Sequence, residues 1–274
     1  MNLSFGYTQP LMSKRMQARP RLAKLIHRVF GYTHIGNYAR AGVFKQLLKS
    51  FPLEECKEVL DLGCGQGEYA FSMASAFPEK KITGLDIEPE RIHNIEAIAG
   101  NKNINNLDTF CGPIENLQKT GKRFDFIYSV DVFEHILVGD MPFEAAHHCL
   151  NDGGFLLVKM PAKKQFTIFP ERLFQAHQQW LEDEHIGQVY ELKDLKARME
   201  AAGFQIQTAF YADGFAARLA WELNYLARKA GPLAQLILLP LNKLLVQIDQ
   251  SLGSLRKGNT IQVIGQKKTK NENE

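Results

Sequence analysis

Apolar residues recur along this chain with two alternating rhythms. Short apolar runs at 58–62, 81–86, 107–111, 124–130 and 155–160 read as strands. Between them, at 68–77, 89–99 and 141–150, apolar positions return every three or four residues, as helices require. Pro78 closes the first of these helices and Gly100 stops the second. Strand, turn and helix in repeated succession predict an α/β fold, a mostly parallel sheet with helices on both faces. The rhythm breaks after Pro161 and resumes with a helix at 191–202, ended by Gly203, and a strand at 204–211. Two long helices, 215–229 and 233–252, precede a last strand at 260–266. They are too long and apolar for a plain connection, so 212–258 reads as a helical insertion. Ahead of the alternating region, 39–49 predicts a helix that stops before Pro52. Residues 11–30 predict a cationic amphipathic helix, with Leu22, Leu25, Ile26, Val29 and Phe30 on one stripe. Four parts are expected: a basic arm at 1–53, the alternating domain at 54–211, the insertion at 212–258, and a last strand with a polar tail at 259–274.

Charge sharpens the division. Residues 1–53 hold nine Lys/Arg and no acid, and the net charge of the 274-residue chain is +3, so the remainder carries −6. A basic arm before an acidic body points to a polyanion or an anionic membrane surface. With 45% hydrophobic and 23% charged residues, collagen-like, coiled-coil and wholly disordered classes are excluded. The apolar run from Leu233 to Leu241 is broken by Gln235 and Pro240 and falls short of the ~20 residues that cross a bilayer. No secretory leader is read at the N-terminus, although its acid-free, Arg-rich character has a transit-peptide flavour. The four cysteines are widely spaced, with no CxxC pair, and are expected as free thiols in a reducing cytosol. The expected location is cytoplasmic, with peripheral contact at the inner face of the membrane.

The sharpest local signal is Val59-Leu60-Asp61-Leu62-Gly63-Cys64-Gly65-Gln66-Gly67-Glu68. Three glycines at alternate positions after a strand let the backbone turn tightly and lie against a ligand. A dinucleotide fingerprint would place its last glycine at position 68, which is glutamate here. A pyrophosphate would meet both Glu68 and Asp61, whereas a cationic ligand would find both favourable. Asp86, ending the second strand, is placed to accept hydrogen bonds from two ribose hydroxyls. The site asks for an adenosine that carries positive charge instead of phosphate.

These motifs resemble a class I S-adenosylmethionine-dependent methyltransferase over residues 57–161. The glycine turn matches that family's first motif, and Ile82-Thr83-Gly84-Leu85-Asp86-Ile87 its ribose-binding second strand. The run from Phe124 through Asp131-Val132-Phe133-Glu134-His135-Ile136 matches the fourth strand and its turn, and Leu150-Asn151-Asp152-Gly153-Gly154-Phe155 the entry to the fifth. The resemblance implies a Rossmann-like, doubly wound, seven-stranded sheet whose last strand is antiparallel, with S-adenosyl-L-methionine as cofactor. It brings Gly63, Gly65 and Gly67 to the methionine part, Asp86 to the ribose and Ile87 to the adenine. Asp61, Cys64 and Ser129 join the same set. Pro113 stands where the family often carries an acid, which leaves the adenine to Ile114 and backbone groups, or to Glu115 as a substitute.

Methyl transfer from a sulfonium is an in-line displacement in which orientation and desolvation supply much of the acceleration. A hydroxyl acceptor also needs a base, whereas an amine only has to arrive unprotonated. His135, His34 and His185 are the candidate bases, each set against a capping or packing role. His147-His148-Cys149 lies within a helix, where adjacent residues point apart, and no metal is expected. Three functional readings follow. The first is a methyltransferase (O- or N-) for a hydrophobic or lipid-linked small molecule. The second is one for a soluble metabolite or a cell-surface glycan precursor, and the third a non-catalytic cofactor-binding scaffold. Nucleic acid is disfavoured: the arm lacks interleaved aromatics, and Asp131 and Glu134 would repel phosphate. Oligomeric state is not legible.

Overall fold

The computed structural model describes residues 19, 21, 25, 28–32, 34–177, 179, 190–253 and 257–268. Most of the predicted 11–30 helix lies outside these residues. Of its apolar stripe, Leu25, Val29 and Phe30 are described; they are helical and exposed.

Helix α1 (Ile35–Leu47) leads into β1 (Glu58–Leu62), α2 (Glu68–Ala76), β2 (Lys81–Asp86), α3 (Pro89–Lys102), β3 (Leu107–Cys111), α4 (Ile114–Lys119) and β4 (Phe124–Val130). A 3-10 turn at Phe133–His135 and helix α5 (Phe143–Cys149) precede β5 (Leu150–Pro161), α6 (Leu192–Ala201) and β6 (Phe204–Ala212). Helices α7 (Phe215–Ala230) and α8 (Pro232–Ser251) stand before β7 (Thr260–Lys267). The seven strands form one sheet in the order β3-β2-β1-β4-β5-β7-β6. Strands β1 to β5 pair in parallel, and β7 runs antiparallel between β5 and β6. Successive strand residues feed opposite cores, the two-residue period of a sheet covered on both sides. Val59, Phe126 and Leu157 pack with Phe44, Phe71 and Ile95 of α1, α2 and α3. Leu60, Ile127 and Val158 pack with Leu117, Ala146 and Met199 of α4, α5 and α6. A third core joins Ile35 and Ala39 of α1 to Ala217, Ala220, Leu239 and Val246 of α7 and α8.

Several boundaries differ from the sequence expectation. Helix α1 begins at Ile35, four residues before the expected start, with His34 at its N-cap. Strand β5 starts at Leu150 instead of Phe155, because Gly153 adopts φ +79° and lets the strand bulge past β4. Gly154 has no room for a side chain there: a Cβ would lie 2.9 Å from the Asn151 carbonyl and 3.0 Å from that of Asp125. Helix α3 runs past Gly100, its expected stop, to Lys102, whereas α8 continues through Pro240 on its exposed side, as its expected span of 233–252 requires. The α7–α8 pair leaves and rejoins the sheet at one point. The Asn259 amide donates to the Asp213 carbonyl at 3.0 Å, and Thr260 Oγ1 donates to Asp213 Oδ2 at 2.8 Å. Gly258 is pressed so closely on this junction that a Cβ would lie 2.0 Å from the Ala212 carbonyl.

Candidate active site

The carboxyl ends of β1, β2 and β4 open into a cleft of about 1710 Å3, at the sheet edge where ligands of such folds sit. Its floor is the glycine turn. Gly63 (φ +80°) is pressed against Val132, and a Cβ there would stand 2.5 Å from that side chain. The amides of Gly63 and Cys64 both donate to the Leu85 carbonyl, at 2.9 and 2.8 Å, tying the turn to β2. Asp86, buried at the end of β2, accepts from the Gly65 amide at 2.8 Å and the Glu88 amide at 3.0 Å, with Arg91 3.6 Å away. Its carboxylate therefore fixes both the turn and the start of α3 while facing the cleft.

Asp61 is buried beneath the turn and lines the cleft. Burial pushes its carboxyl up to about 8, against the opposing influence of the Tyr128 hydroxyl and the Ala70 amide; the nearby Asp86 adds to the rise. Asp61 Oδ2 and the Tyr128 hydroxyl oxygen are both buried outside hydrogen-bonding geometry. A buried carboxylate held at the edge of ionisation suits a cationic group entering the cleft. Glu68 is engaged by the Tyr32 hydroxyl, which brings the segment before α1 down onto the turn.

Of the other residues expected around the cofactor, Cys64, Ile87, Ile114 and Glu115 line the cleft, Ile87 being exposed and Ile114 buried. Pro113 lines it too, where the family often has an acid. Gly67 lies outside the lining; its φ of +78° and its contact with Phe71 and Ile95 set the start of α2. Ser129 is also outside it, its hydroxyl donating to the Leu62 carbonyl at 2.9 Å to join β4 to β1.

A second cavity of about 360 Å3 adjoins the cleft, and Arg40, Asp131 and His135 line both. Asp131 follows β4 in a left-handed conformation (φ +54°), sparsely used by residues other than glycine, which marks it as a constrained position. It pairs with Arg40 Nε at 2.6 Å and with the buried Lys159 Nζ at 2.9 Å. Burial alone would raise its carboxyl, but Arg40 and then Lys159 outweigh it and hold the pKa below the ordinary value. Glu134, 1% exposed, lines the same cavity with its Oε2 outside any hydrogen bond; burial, then Asp131, pushes it up to about 8. Asp213, also at φ +54°, faces Lys159 from the end of β6. Burial raises its carboxyl, with Lys159 and Thr260 in opposition. Opposite these acids, Arg218 stacks on Trp221 at 4.7 Å and pairs with the buried Glu222 at 2.6 Å.

Sequence reasoning brought His135 to this junction, where its ring is exposed. His34 instead caps α1 and lines neither space. His185 lies outside the described residues. Glu134, Lys159, Asp213 and Arg218 were not anticipated as site residues. Glu134 entered the sequence reading only as a charge unfavourable to phosphate, and the one hint of its burial is its neighbour Phe133 in a turn directly after a buried strand. Among the described residues no cluster suits a metal ion.

Residues 16–209 match the model of the methyltransferase domain family. The chain belongs to this family. A curated relative is malonyl-[acyl-carrier protein] O-methyltransferase 2 of Ilyobacter polytropus, 30% identical over 120 residues, which cover 44% of this chain and 45% of that protein. The chain thus spans about half the length of the curated relatives it matches. Among solved structures it is similar in fold to a putative sarcosine dimethylglycine methyltransferase from Galdieria sulphuraria. That likeness has a TM-score of 0.58 and 17% identity, covering 84% of this chain and 85% of that one. It is also similar in fold to coclaurine N-methyltransferase bound to N-methylheliamine and S-adenosylhomocysteine, with a TM-score of 0.57 and 13% identity, over 82% of this chain and 71% of that one.

Proposed function

We propose that this family member transfers the methyl group of S-adenosylmethionine to a hydroxyl or amine of a small molecule whose reacting end enters the second cavity. The observation that carries this reading is the shared wall: Arg40, Asp131 and His135 border both the cofactor cleft and the cavity. The cofactor supplies an electrophilic methyl on a sulfonium. Asp61 and the glycine turn would hold its cationic methionine part, Asp86 its ribose, and Ile87, Ile114 and Glu115 its adenine end. The matched relatives include both O- and N-methyltransferases.

The lining of the cavity supports an acceptor with a polar reacting end. Arg40, Lys159 and Arg218 line it together with Asp131, Glu134 and Asp213, and Trp221 and Ile35 are among its apolar residues. Such a wall receives a polar group, which favours the metabolite or glycan-precursor reading for the reacting end. The lipid-linked acceptor is the second reading, supported by the apolar exposed face of α8. A polar head on a lipid anchor satisfies both features and places the enzyme on the cytoplasmic face of a membrane. The 54–211 segment is then the cofactor domain, and the helices within 212–258 close the acceptor side.

With a hydroxyl acceptor, the oxygen would take the methyl that the cofactor supplies, its sulfur being the leaving group, and His135, which lines both spaces, would take the hydroxyl proton. Asp131 stays ionised between its two cations and steadies the charge that His135 acquires. Glu134, whose carboxyl is pushed up to about 8 by burial, would present a proton to an acceptor atom entering the cavity. Replacing His135 with Ala is expected to lower turnover by ~10²-fold while cofactor affinity is kept. Turnover is read as S-adenosylhomocysteine release over a panel of hydroxyl and amine acceptors, and affinity by calorimetry. Equal losses in both quantities would make His135 a structural residue of the turn.

A further inference from the structure

Helix α8 turns a whole face to solvent without one charge on it. Leu233, Ile237, Leu241, Leu244, Ile248 and Leu252 follow one another at spacings of four, four, three, four and four residues, which keeps them on a single stripe. Leu233 is 71% exposed, Ile237 68% and Leu252 65%, with the other three near half. The opposite stripe, Leu239, Asn242, Val246 and Asp249, is buried. A 20-residue helix is about 30 Å long, so the patch amounts to several hundred Å2, on the order of the largest that monomers carry. It extends sideways. Lys243 Nζ donates to the Phe30 carbonyl beside the middle of α8, and Val29 and Phe30 are themselves exposed.

The charges around this face have one sign. Arg228 and Lys229 are exposed where α7 meets α8, Lys257 is exposed beyond the far end, and Arg28 lies next to Val29. From residue 223 to residue 271 the sequence holds a single acid, Asp249. It is turned inward, accepting the amides of Gly214 at 2.9 Å and Ala216 at 3.2 Å. A second copy of the chain is the poorer partner for such a face. Two-fold pairing of α8 would bring the cationic end of each helix to the cationic end of the other, with no acid between. An anionic lipid surface complements both the stripe and its rim.

We propose that the exposed face of α8 is the docking surface through which this protein lies on an anionic lipid bilayer, with the helix in the plane of the interface. The proposal builds on the membrane placement above and assigns it to α8, where the sequence had pointed first to residues 11–30. Pro240 is no obstacle, since it sits on the lipid-facing side of an unbroken helix.

The test is flotation of the full-length protein with vesicles of phosphatidylcholine alone and of phosphatidylcholine mixed with phosphatidylglycerol, at low and high salt. A double variant, Ile237→Glu with Leu244→Glu, is run beside the native chain. The native protein is expected to float with the anionic vesicles at low salt, and the variant to lose ~tenfold or more of its bound fraction. Both positions are exposed, so circular dichroism and cofactor calorimetry should match the native protein. Native protein that floats together with an equally buoyant variant overturns the assignment to α8 and leaves the membrane placement standing. A native protein that never floats overturns both. Sedimentation then separates a dimer dissolved by the double variant, which would give the face to a second copy, from a monomer throughout.

Discussion

Replacing Asp61 with Asn should move stability and cofactor affinity in opposite directions. In the folded protein the carboxyl is pushed up to about 8 from an ordinary 3.8. A raised acid favours the fold in its protonated form. Its penalty begins as pH climbs past the unfolded value near 3.8 and levels off above about 8. At ~1.4 kcal/mol for each pH unit of that interval, the ceiling is about 6 kcal/mol, and water reaching the cleft returns much of it. We expect Asp61→Asn to stabilise the ligand-free protein at pH 8 by about 1–3 kcal/mol in denaturant titration, and to do little at pH 4. On the proposed binding mode the same change removes the counter-charge for the cofactor's ammonium, worth ~1.5–3 kcal/mol, or roughly ten- to a hundredfold in Kd. Proton linkage joins the two effects. At pH 7 the free carboxyl is mostly protonated, and it must ionise to meet a cation. Calorimetry in buffers of different ionisation enthalpy should therefore show close to one proton released on binding to the native protein and almost none with the Asn variant. Unchanged affinity together with unchanged proton release would place the cationic end of the cofactor elsewhere.

Two further substitutions probe the turn. Asp86→Ala should weaken S-adenosylmethionine by roughly ten- to a hundredfold in calorimetry, through the lost ribose contact and the loosened Gly65 amide. Unchanged binding would mean the ribose lies elsewhere. Gly63→Ala combines a left-handed φ with a 2.5 Å approach to Val132, and should cost about 2–4 kcal/mol in urea unfolding. A loss below ~0.5 kcal/mol would show that the turn relaxes freely.

Most of the parallel half of the sheet was legible because β1, β2 and β4 are buried on both faces. Such strands are written as apolar runs closed by Gly, Pro or Asp, and the bounds of β1 to β4 match the sequence reading. Where a signal has two physical meanings the reading slipped. Gly153-Gly154 reads as a turn, yet it bulges a strand that has already begun. Gly100 reads as a helix end, yet α3 carries on to Lys102 and closes on Asn103 in the left-handed conformation. The floor of the cleft was legible too, because Gly63, Cys64 and Gly65 stand beside one another in the turn motif. The second cavity was not. Its lining comes from α1, the turn after β4, the end of β5, α7 and the start of β7, and no short stretch of sequence holds more than a few of its residues. Burial of Glu134 and Lys159 depends on those distant elements meeting, which spacing along the chain does not encode.

The junction at Asp213 and Asn259 has a consequence for how such enzymes diversify. The sheet meets the whole excursion through α7 and α8 at one closed gate, held by Gly258 against Ala212 and by Thr260 on the Asp213 carboxylate. Strand register is therefore blind to what lies beyond the gate. A longer, shorter or differently surfaced pair of helices can be grafted there without re-threading β6 or β7. New acceptors and new addresses in the cell can arise on that graft while the cofactor machinery stays as it is.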